Sequence, residues 1–277
     1  MKLVNRNILI TGAASGIGKS MAMLCAKKHA TLILWDRDPE GLKQCLSELP
    51  STGPAPHRSY VIDLASREQI ENTAKRTLEQ VGPVDVLINN AGVVSGNALL
   101  QITAEQIERT FKVNTLAPIW TTRAFLPSMQ RREAGHIVTI ASAAGLVGAA
   151  KLSDYCASKF AAIGFDEALR VELKRNKSPI RTTIICPFYI NTGMFTGVKT
   201  RFPLLLPILE GQYVAKKTIR AIEKDKATLM MPRILHLLPL LRLLPVPLFD
   251  ALANFLGINH SMDDFIGRKT LSNDDRT

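Results

Sequence analysis

Cysteine, aromatic residues and long apolar runs are all scarce in this chain of 277 residues. The four cysteines lack the spacing of a zinc site and the five histidines are scattered, so no metal site is expected. Aromatic residues make up 6% of the chain and are not interleaved with any basic run, which argues against a nucleic-acid partner despite the net charge of +11. No signal peptide or transmembrane anchor precedes the first apolar run, so we expect a cytoplasmic protein.

A stretch rich in leucine and proline lies between Leu229 and Leu256. Arg233, Arg242 and the prolines interrupt it too often for the roughly 20-residue apolar span that a transmembrane helix needs. It could instead lie on a membrane or another lipid surface, with its arginines at the headgroups. Alternatively, its leucines could cover a substrate pocket or a subunit interface. We favour the lipid surface, which predicts a peripheral protein.

Apolar runs typical of strands alternate with helical stretches from Asn7 to Pro187. This alternation predicts an α/β fold, a single doubly wound Rossmann-type parallel sheet with helices on both faces. The expected organisation is one Rossmann-type domain over residues 1–228, with a hydrophobic, basic C-terminal extension over 229–277 packed on the same domain.

A glycine-rich turn follows the first predicted strand. The strand ends at Thr11, the turn holds Gly12, Gly16 and Gly18, and a helix is expected from Lys19 to His29. Glycines allow close approach of a pyrophosphate, whose charge the helix N-terminus stabilises. The glycine spacing matches the dinucleotide fingerprint only in part.

The second predicted strand ends in Asp36, 18 residues after Gly18. An acid at this distance suits hydrogen bonds to the adenosine ribose and repels a 2′-phosphate, which favours NAD over NADP. Arg37 could hold such a phosphate, but we interpret it as a solvated loop charge.

Tyr155 and Lys159 lie four residues apart in a stretch predicted to be helical, so their side chains share one face. A free phenol has a pKa of about 10 and is a poor base at neutral pH. The lysine charge is expected to lower the pKa of Tyr155 toward the working range.

Together with further motifs, these features resemble the short-chain dehydrogenase/reductase superfamily over nearly the whole chain. The motifs are Thr11–Gly18, Asp63 in Val61–Leu64, Asn89–Gly92, Asn114 in Lys112–Asn114, Ser142, and Tyr155 to Lys159. The resemblance implies catalysis by Asn114, Ser142, Tyr155 and Lys159. In that scheme Tyr155 exchanges a proton with the substrate oxygen, Ser142 hydrogen-bonds the same oxygen, and Asn114 supports a proton relay from Lys159.

The resemblance also implies that residues 1–228 are a catalytic domain with a substrate lid at about 191–211, and it implies the contacts of the cofactor and the substrate. The cofactor-binding residues are expected to be Gly12, Ser15, Gly16, Ile17, Gly18, Asp36, Arg37, Asp63, Leu64, Asn90, Ala91, Gly92, Tyr155, Lys159, Pro187, Ile190 and Thr192. The substrate residues are expected to be Ser142, Phe188 and Met194, with Phe188 standing where many relatives have glycine.

Within the superfamily, the chain resembles the branch of retinol dehydrogenases and lipid-droplet 17β-hydroxysteroid dehydrogenases. The likeness is carried by Leu34–Asp36, Gly135–Thr139, Asn191–Pro203 and Met262–Arg268. It implies a lipophilic alcohol or carbonyl substrate (a retinoid, a steroid or another lipid alcohol), a homodimer, and contact with a membrane or lipid-droplet surface. The alternative is a lipid-surface binding protein of the same fold with little turnover.

Overall fold

The computed structural model describes residues 1–267, and residues 268–277, including Arg268 of the C-terminal motif, lie outside the described part. Its central sheet has seven strands, all parallel, in the order β3-β2-β1-β4-β5-β6-β9. The strands are β1 (Asn7–Thr11), β2 (Thr31–Asp36), β3 (Arg58–Val61), β4 (Val86–Asn89), β5 (His136–Ile140), β6 (Arg181–Pro187) and β9 (Thr228–Met231). The predicted doubly wound parallel sheet is confirmed.

Helices cover both faces of this sheet. They are α1 (Gly16–Ala26), α2 (Pro39–Glu48), α3 (Arg67–Gln80), α4 (Ala104–Phe111), α5 (Ala117–Arg131), α6 (Ser153–Arg175), α7 (Gly211–Glu223), α8 (Leu238–Leu241) and α9 (Val246–Phe255). One apolar core joins the sheet to α1, α2 and α7, and a second joins it to α3, α5 and α6. Apolar side chains on both faces explain why the strands read as nearly continuous apolar runs.

The strand order reverses between β1 and β4, which are neighbours in the sheet although β2 and β3 lie between them in sequence. Ile8 aligns with Val86 and Ile10 with Ile88 in this central pair. The chain leaves β1 toward β2 on one side and leaves β4 toward β5 on the other. Loops from the carboxyl ends of these strands therefore diverge and leave a crevice, the usual ligand position in such sheets.

The first helix differs by three residues at each end from the predicted span. α1 begins at Gly16 rather than Lys19, so the last two glycines of the turn lie inside the helix. It ends at Ala26 because His29 adopts a left-handed conformation with φ of 61°, which terminates helical hydrogen bonding. The glycine-rich turn and the helix N-terminus are thus one structure.

The region from 191 to 211, predicted as a lid, is closed at its base by a short parallel pair. The strands β7 (Ile190–Asn191) and β8 (Leu209–Glu210) align Ile190 with Leu209. The chain between them leaves the sheet and returns to the start of α7. This region is therefore a loop anchored at both ends beside the carboxyl end of β6.

The C-terminal segment begins inside the sheet. Strand β9 pairs with β6 over Thr228–Met231, so the boundary expected at 228/229 falls within the edge strand. Beyond it, Pro239 and Pro247 lie in the first turns of α8 and α9 and Pro245 caps α9. These prolines start short helices, as their fixed φ allows. Across residues 1–267, no helix combines the length and apolar character needed to cross a bilayer.

Candidate active site

A cleft of about 400 Å³ opens at the carboxyl edge of the sheet, where the crevice between β1 and β4 was expected. Nearly all the predicted site residues line it: Gly12, Ser15, Gly16, Ile17, Asp36, Arg37, Asp63, Leu64, Asn90, Ala91, Gly92, Ser142, Tyr155, Lys159, Pro187, Phe188, Ile190, Thr192 and Met194. Gly18 and Asn114 are the two that do not. They support the cleft wall from behind, as described below.

One end of the cleft is the turn between β1 and α1, held against the loop after β4. The Thr11 hydroxyl accepts hydrogen bonds from the backbone N–H groups of Asn90 and Ala91 at 3.0 and 3.1 Å. The Asn90 amide in turn donates to the carbonyls of Thr11 and Gly12 at 2.9 and 3.0 Å. Four hydrogen bonds therefore fix the turn before any ligand arrives.

The same turn packs closely on itself and on the loop after β4 because its glycines lack side chains. Gly12 has a φ of 65°, and a Cβ there would lie 2.8 Å from the Ala91 Cα. A Cβ at Gly18 would overlap the Gly12 carbonyl and lie 2.7 Å from Asn90 Nδ2. First-turn amides of α1 have no carbonyl partners within their own helix. The turn thus fits a pyrophosphate bound at a helix N-terminus.

The two residues at the end of β2 face this turn. The Asp36 carboxylate accepts hydrogen bonds from the N–H groups of Ala14 at 2.9 Å and Asp38 at 3.1 Å. These bonds hold the carboxylate at the cleft wall, where it can accept further bonds from ribose hydroxyls. Arg37 also lines the cleft and is exposed, so its charge remains close to the same position.

A third wall carries an ion pair that the sequence did not indicate. The Asp63 carboxylate pairs with Arg109 of α4 through two contacts of 3.3 and 3.4 Å, and it also accepts a hydrogen bond from Ala65 N–H. Arg109 is 46 positions away in sequence and carries no motif. The position of α4, which packs against α6, brings this guanidinium to the cleft.

The catalytic candidates meet at the other end of the cleft. Tyr155 and Lys159 lie on α6 and are each 4% exposed, while Ser142 follows β5 and is 9% exposed. Ser142 lies close enough to the Tyr155 phenol to favour its ionised form. The Lys159 Nζ donates to the Ile140 carbonyl at 3.0 Å and lies 5.7 Å from the centre of the Tyr155 ring. The predicted helical stacking is present, with the lysine one turn behind the tyrosine.

Burial dominates the ionisation of this pair. It raises the pKa of Tyr155 above its ordinary value, against the lowering effect of Ser142. Burial also lowers the pKa of Lys159 to about 8. The expected lowering of the phenol pKa by Lys159 is therefore wrong for the protein alone, because removing both groups from water disfavours both charged forms.

Asn114 sits one layer behind the cleft in a π-helical turn, Lys112–Leu116, between α4 and α5. Its Oδ1 accepts from Val93 N–H at 2.9 Å, and its Nδ2 donates to the Val93 carbonyl and to Ser158 Oγ at 2.9 and 3.0 Å. All of its amide hydrogens are thus used to brace the loop after β4 against α6. π-Helical turns are frequent at functional sites.

The rest of the cleft is mostly apolar and includes residues that sequence reasoning missed. These are Ile62, Val93, Val94, Ser95, Arg109, Val113, Ile140, Ala141, Phe195, Phe265, Ile266 and Gly267. Most flank a predicted motif and could have been found by extending it. The last three come from the Met262–Arg268 motif, which indicated a relationship to a family branch but not a position in the cleft.

The described residues give no support for a metal centre or for a reactive cysteine. Residues 1–267 contain no group of three or more His, Cys, Asp or Glu side chains that could hold a metal ion. The four cysteines are buried and free. Burial raises the pKa of Cys25 and of Cys186 to about 12, so these thiols are protonated at neutral pH.

The sequence pattern of the short chain dehydrogenase family matches residues 6–201. The chain belongs to this family. It is 43% identical to short-chain dehydrogenase/reductase family 16C member 6 of Bos taurus, over 95% of this chain and 84% of that one. It is 42% identical to epidermal retinol dehydrogenase 2 of Homo sapiens, over 95% and 85% of the two chains. The resemblance to the retinol dehydrogenase branch is confirmed.

Solved structures support the same assignment. A short chain dehydrogenase/reductase from Burkholderia phymatum in complex with NAD superposes with a TM-score of 0.78 at 27% identity, over 87% of this chain and 94% of that one. An alcohol dehydrogenase from Thermococcus sibiricus complexed with 5-hydroxy-NADP gives a TM-score of 0.72 at 26% identity, over 82% and 95%. The protein is thus an oxidoreductase of the alcohol dehydrogenase/carbonyl reductase type.

Replacing Gly18 with alanine tests the phosphate cradle. The new Cβ would press on the Gly12 carbonyl and on Asn90 Nδ2, so the turn must shift away from its present geometry. We expect Gly18→Ala to weaken NAD binding about tenfold or more, or about 1.4 kcal/mol, as measured by calorimetry. Gly148→Ala is the control, because a Cβ there meets nothing within 4 Å. Equal affinities for both variants would contradict the assignment of this turn.

Proposed function

We propose that this protein is an NAD-dependent dehydrogenase that interconverts a lipophilic alcohol and its carbonyl compound. The observation that carries the proposal is one cleft with a phosphate-fitting turn at one end and Ser142, Tyr155 and Lys159 at the other. A dinucleotide along the cleft would place its reactive ring beside the phenol. When bound, the cofactor supplies or accepts the hydride, and the protein orients the reactants.

The Ser142 hydroxyl is oriented to donate to the substrate oxygen. Its Oγ already accepts a hydrogen bond from Ala144 N–H at 3.1 Å. The remaining hydroxyl proton can therefore point to an oxygen in the cleft, next to the Tyr155 phenol. Such a donor stabilises the negative charge that develops on the oxygen during reaction.

Tyr155 acts as the proton donor in reduction and the acceptor in oxidation. Because burial raises its pKa, the phenol is protonated at neutral pH and ready to donate. In the oxidation direction a nearby positive charge must stabilise the phenolate, and Lys159 supplies it. The bond from Lys159 Nζ to the Ile140 carbonyl fixes the ammonium in place for this task.

The cofactor preference follows from the end of β2. Asp36 is held at the cleft by two backbone amides, so its charge would face a 2′-phosphate directly. Arg37 is exposed to solvent, where its charge is screened. We therefore assign NAD as the preferred cofactor. Asp63 would contact the adenine ring of the cofactor, and its ion pair with Arg109 fixes the position of its carboxylate.

The substrate is lipophilic because the cleft beyond the catalytic residues is lined by apolar side chains. Phe188, Met194 and Phe195 provide much of this surface. The relatives at 42% and 39% identity include retinol dehydrogenases of Homo sapiens and Danio rerio, which points to a retinoid or another lipid alcohol.

We also propose that the exposed leucines of the C-terminal segment contact a membrane or lipid-droplet surface. Leu240 is 64% exposed, Leu243 79% and Val246 70%, and Leu204 of the lid is fully exposed. Arg242 and Arg201 each donate one hydrogen bond to a backbone carbonyl, of Leu146 and Phe255, and keep their positive charge, so they can still attract anionic headgroups. Apolar insertion and headgroup attraction should therefore both contribute to the contact. A homodimer that buries these leucines is the alternative.

Removing the Tyr155 hydroxyl tests the catalytic assignment. We expect Tyr155→Phe to lower kcat by about 10²- to 10⁴-fold, because a general acid/base is lost. NAD affinity should stay within about twofold, since the cradle is at the other end of the cleft. Tyr213→Phe, at a residue 45% exposed on α7, is the control. A variant that keeps more than about a tenth of the parent kcat would overturn the role of Tyr155.

Asp36 is tested by comparing kcat/KM for NAD and NADP. The parent should have the higher kcat/KM with NAD. Asp36→Ala should reduce the ratio of kcat/KM for NAD to that for NADP, because the repulsion of the 2′-phosphate is gone. Arg37→Ala should instead leave the preference for NAD unchanged or increase it. A parent that prefers NADP about tenfold, or about 1.4 kcal/mol, would show that Arg37 rather than Asp36 sets the choice.

Lipid contact is tested by flotation with phosphatidylglycerol vesicles. Deleting the chain from residue 229 would remove most of strand β9, so point variants are the cleaner probe. We expect Leu240→Asp combined with Leu243→Asp to abolish flotation, and high salt only to weaken it in the parent. Val61→Asp is the matched control, since Val61 is 61% exposed on β3 at the opposite edge of the sheet. The homodimer alternative would be selected if the parent does not float and forms a stable dimer, while the double variant is monomeric.

A further inference from the structure

The last described residues of the chain fold back onto the lid. We call residues 261–267 the tail segment. The N–H groups of Ile266 and Gly267 donate to the Thr196 carbonyl at 2.9 and 3.2 Å, and Lys199 N–H donates to the Ser261 carbonyl at 3.2 Å. A Cβ at Gly197 would overlap the Asp264 carbonyl, so the backbones of the lid and the tail segment are in direct contact. The tail segment and the lid therefore form one wall.

Side chains fasten this wall at several points. Tyr189 OH and Ser261 Oγ are 2.8 Å apart in a buried hydrogen bond, and Met262 is 1% exposed. Two ion pairs join the rim, Lys199 with Asp264 at 2.7 Å and Lys151 with Asp263 at 2.8 Å. Exposed ion pairs contribute little individually. The buried contacts are thus the main anchors, and the tail segment is a packed part of the domain.

Phe265 projects from this wall into the apolar end of the cleft. Its ring lies against Gly96 of the loop after β4, where a Cβ would overlap it. The Phe195 ring stands between Phe265 and the catalytic tyrosine, with centre-to-centre distances of 6.5 Å to Phe265 and 5.8 Å to Tyr155. Three rings thus run in series from the tail segment to the reacting hydroxyl.

We propose that Phe265 is a specificity-determining residue that limits the width of the substrate compartment beside Tyr155. This rests on the dehydrogenase function proposed above and narrows its substrate class. The lid and the tail segment close one side of the compartment, and Phe195 packs edge-on against the phenol. The compartment therefore accepts an alcohol carried on one slender apolar chain and excludes carbinols with bulky groups on both sides. Apolar pockets typically discriminate by about 10- to 200-fold for small changes in fit.

The test compares kcat/KM for 1-decanol and diphenylmethanol in the parent and in Phe265→Ala. The parent should favour 1-decanol, and Phe265→Ala should shift the ratio toward diphenylmethanol by about tenfold or more. Phe265→Leu should give a smaller shift because it restores part of the volume. Phe255→Ala is the matched control, since Phe255 is 57% exposed, packs on Phe202 and lies outside the cleft. It should leave the ratio unchanged.

Hydrogen exchange at the amides of Ile266 and Gly267 gives a readout that needs no turnover. In the parent, 1-decanol with NAD should slow exchange there, because the ligand packs against the wall that these amides hold. The protection should be lost in Phe265→Ala and retained in Phe255→Ala. Melting temperatures and the KM for NAD close to the parent values would show that the variants are folded.

The outcomes separate this inference from the proposed function. If the parent oxidises neither alcohol but the ligands slow hydrogen exchange in the tail segment, Phe265 still lines the compartment. That result would overturn the dehydrogenase assignment for these substrates. An active parent whose substrate ratio is the same in Phe265→Ala would overturn the role of Phe265, whether or not the tail segment remains attached. Absence of both turnover and protection would overturn both.

Discussion

The hydrogen bond from Lys159 Nζ to the Ile140 carbonyl joins the two elements on which the site depends. It fixes α6 against the carboxyl end of β5, two residues before Ser142. Lys159 is 4% exposed, so this ammonium is held in a place where few other partners are available. An unpaired buried charge is costly, which restricts α6 to the register that keeps the bond. The position of Tyr155 follows from that register.

The brace behind the cleft extends the same constraint to β4 and β1. Asn114 joins the loop after β4 to α6 through Val93 and Ser158, and Asn90 joins that loop to the glycine-rich turn. The cofactor end and the catalytic end are therefore connected by hydrogen bonds rather than placed independently. A shift of the loop after β4 would disturb both ends, since it touches each of them.

Burial sets the pKa values of Tyr155 and Lys159, and therefore the charges available at the site. It raises the pKa of Tyr155 and lowers that of Lys159 to about 8, so charging either group costs more here than in water, although Lys159 is still mostly protonated at neutral pH. In the proposed mechanism, a Tyr155 phenolate must then be stabilised by charges within the cleft, where the low dielectric strengthens their effect. The sequence argument that treated Lys159 as sufficient overlooked this desolvation, because the spacing of two residues says nothing about their exposure.

The sequence by itself determined the parallel sheet, the glycine-rich turn and the residue types of the proposed catalytic group. These depend on local periodicity and on motifs a few residues long, such as Tyr155 with Lys159. Only the tertiary structure decided which distant segments meet. Arg109 reaches Asp63, and Phe265 reaches Gly96, across separations that no local pattern records. Such contacts arise from the packing of whole elements, so a chain read residue by residue carries no signal for them.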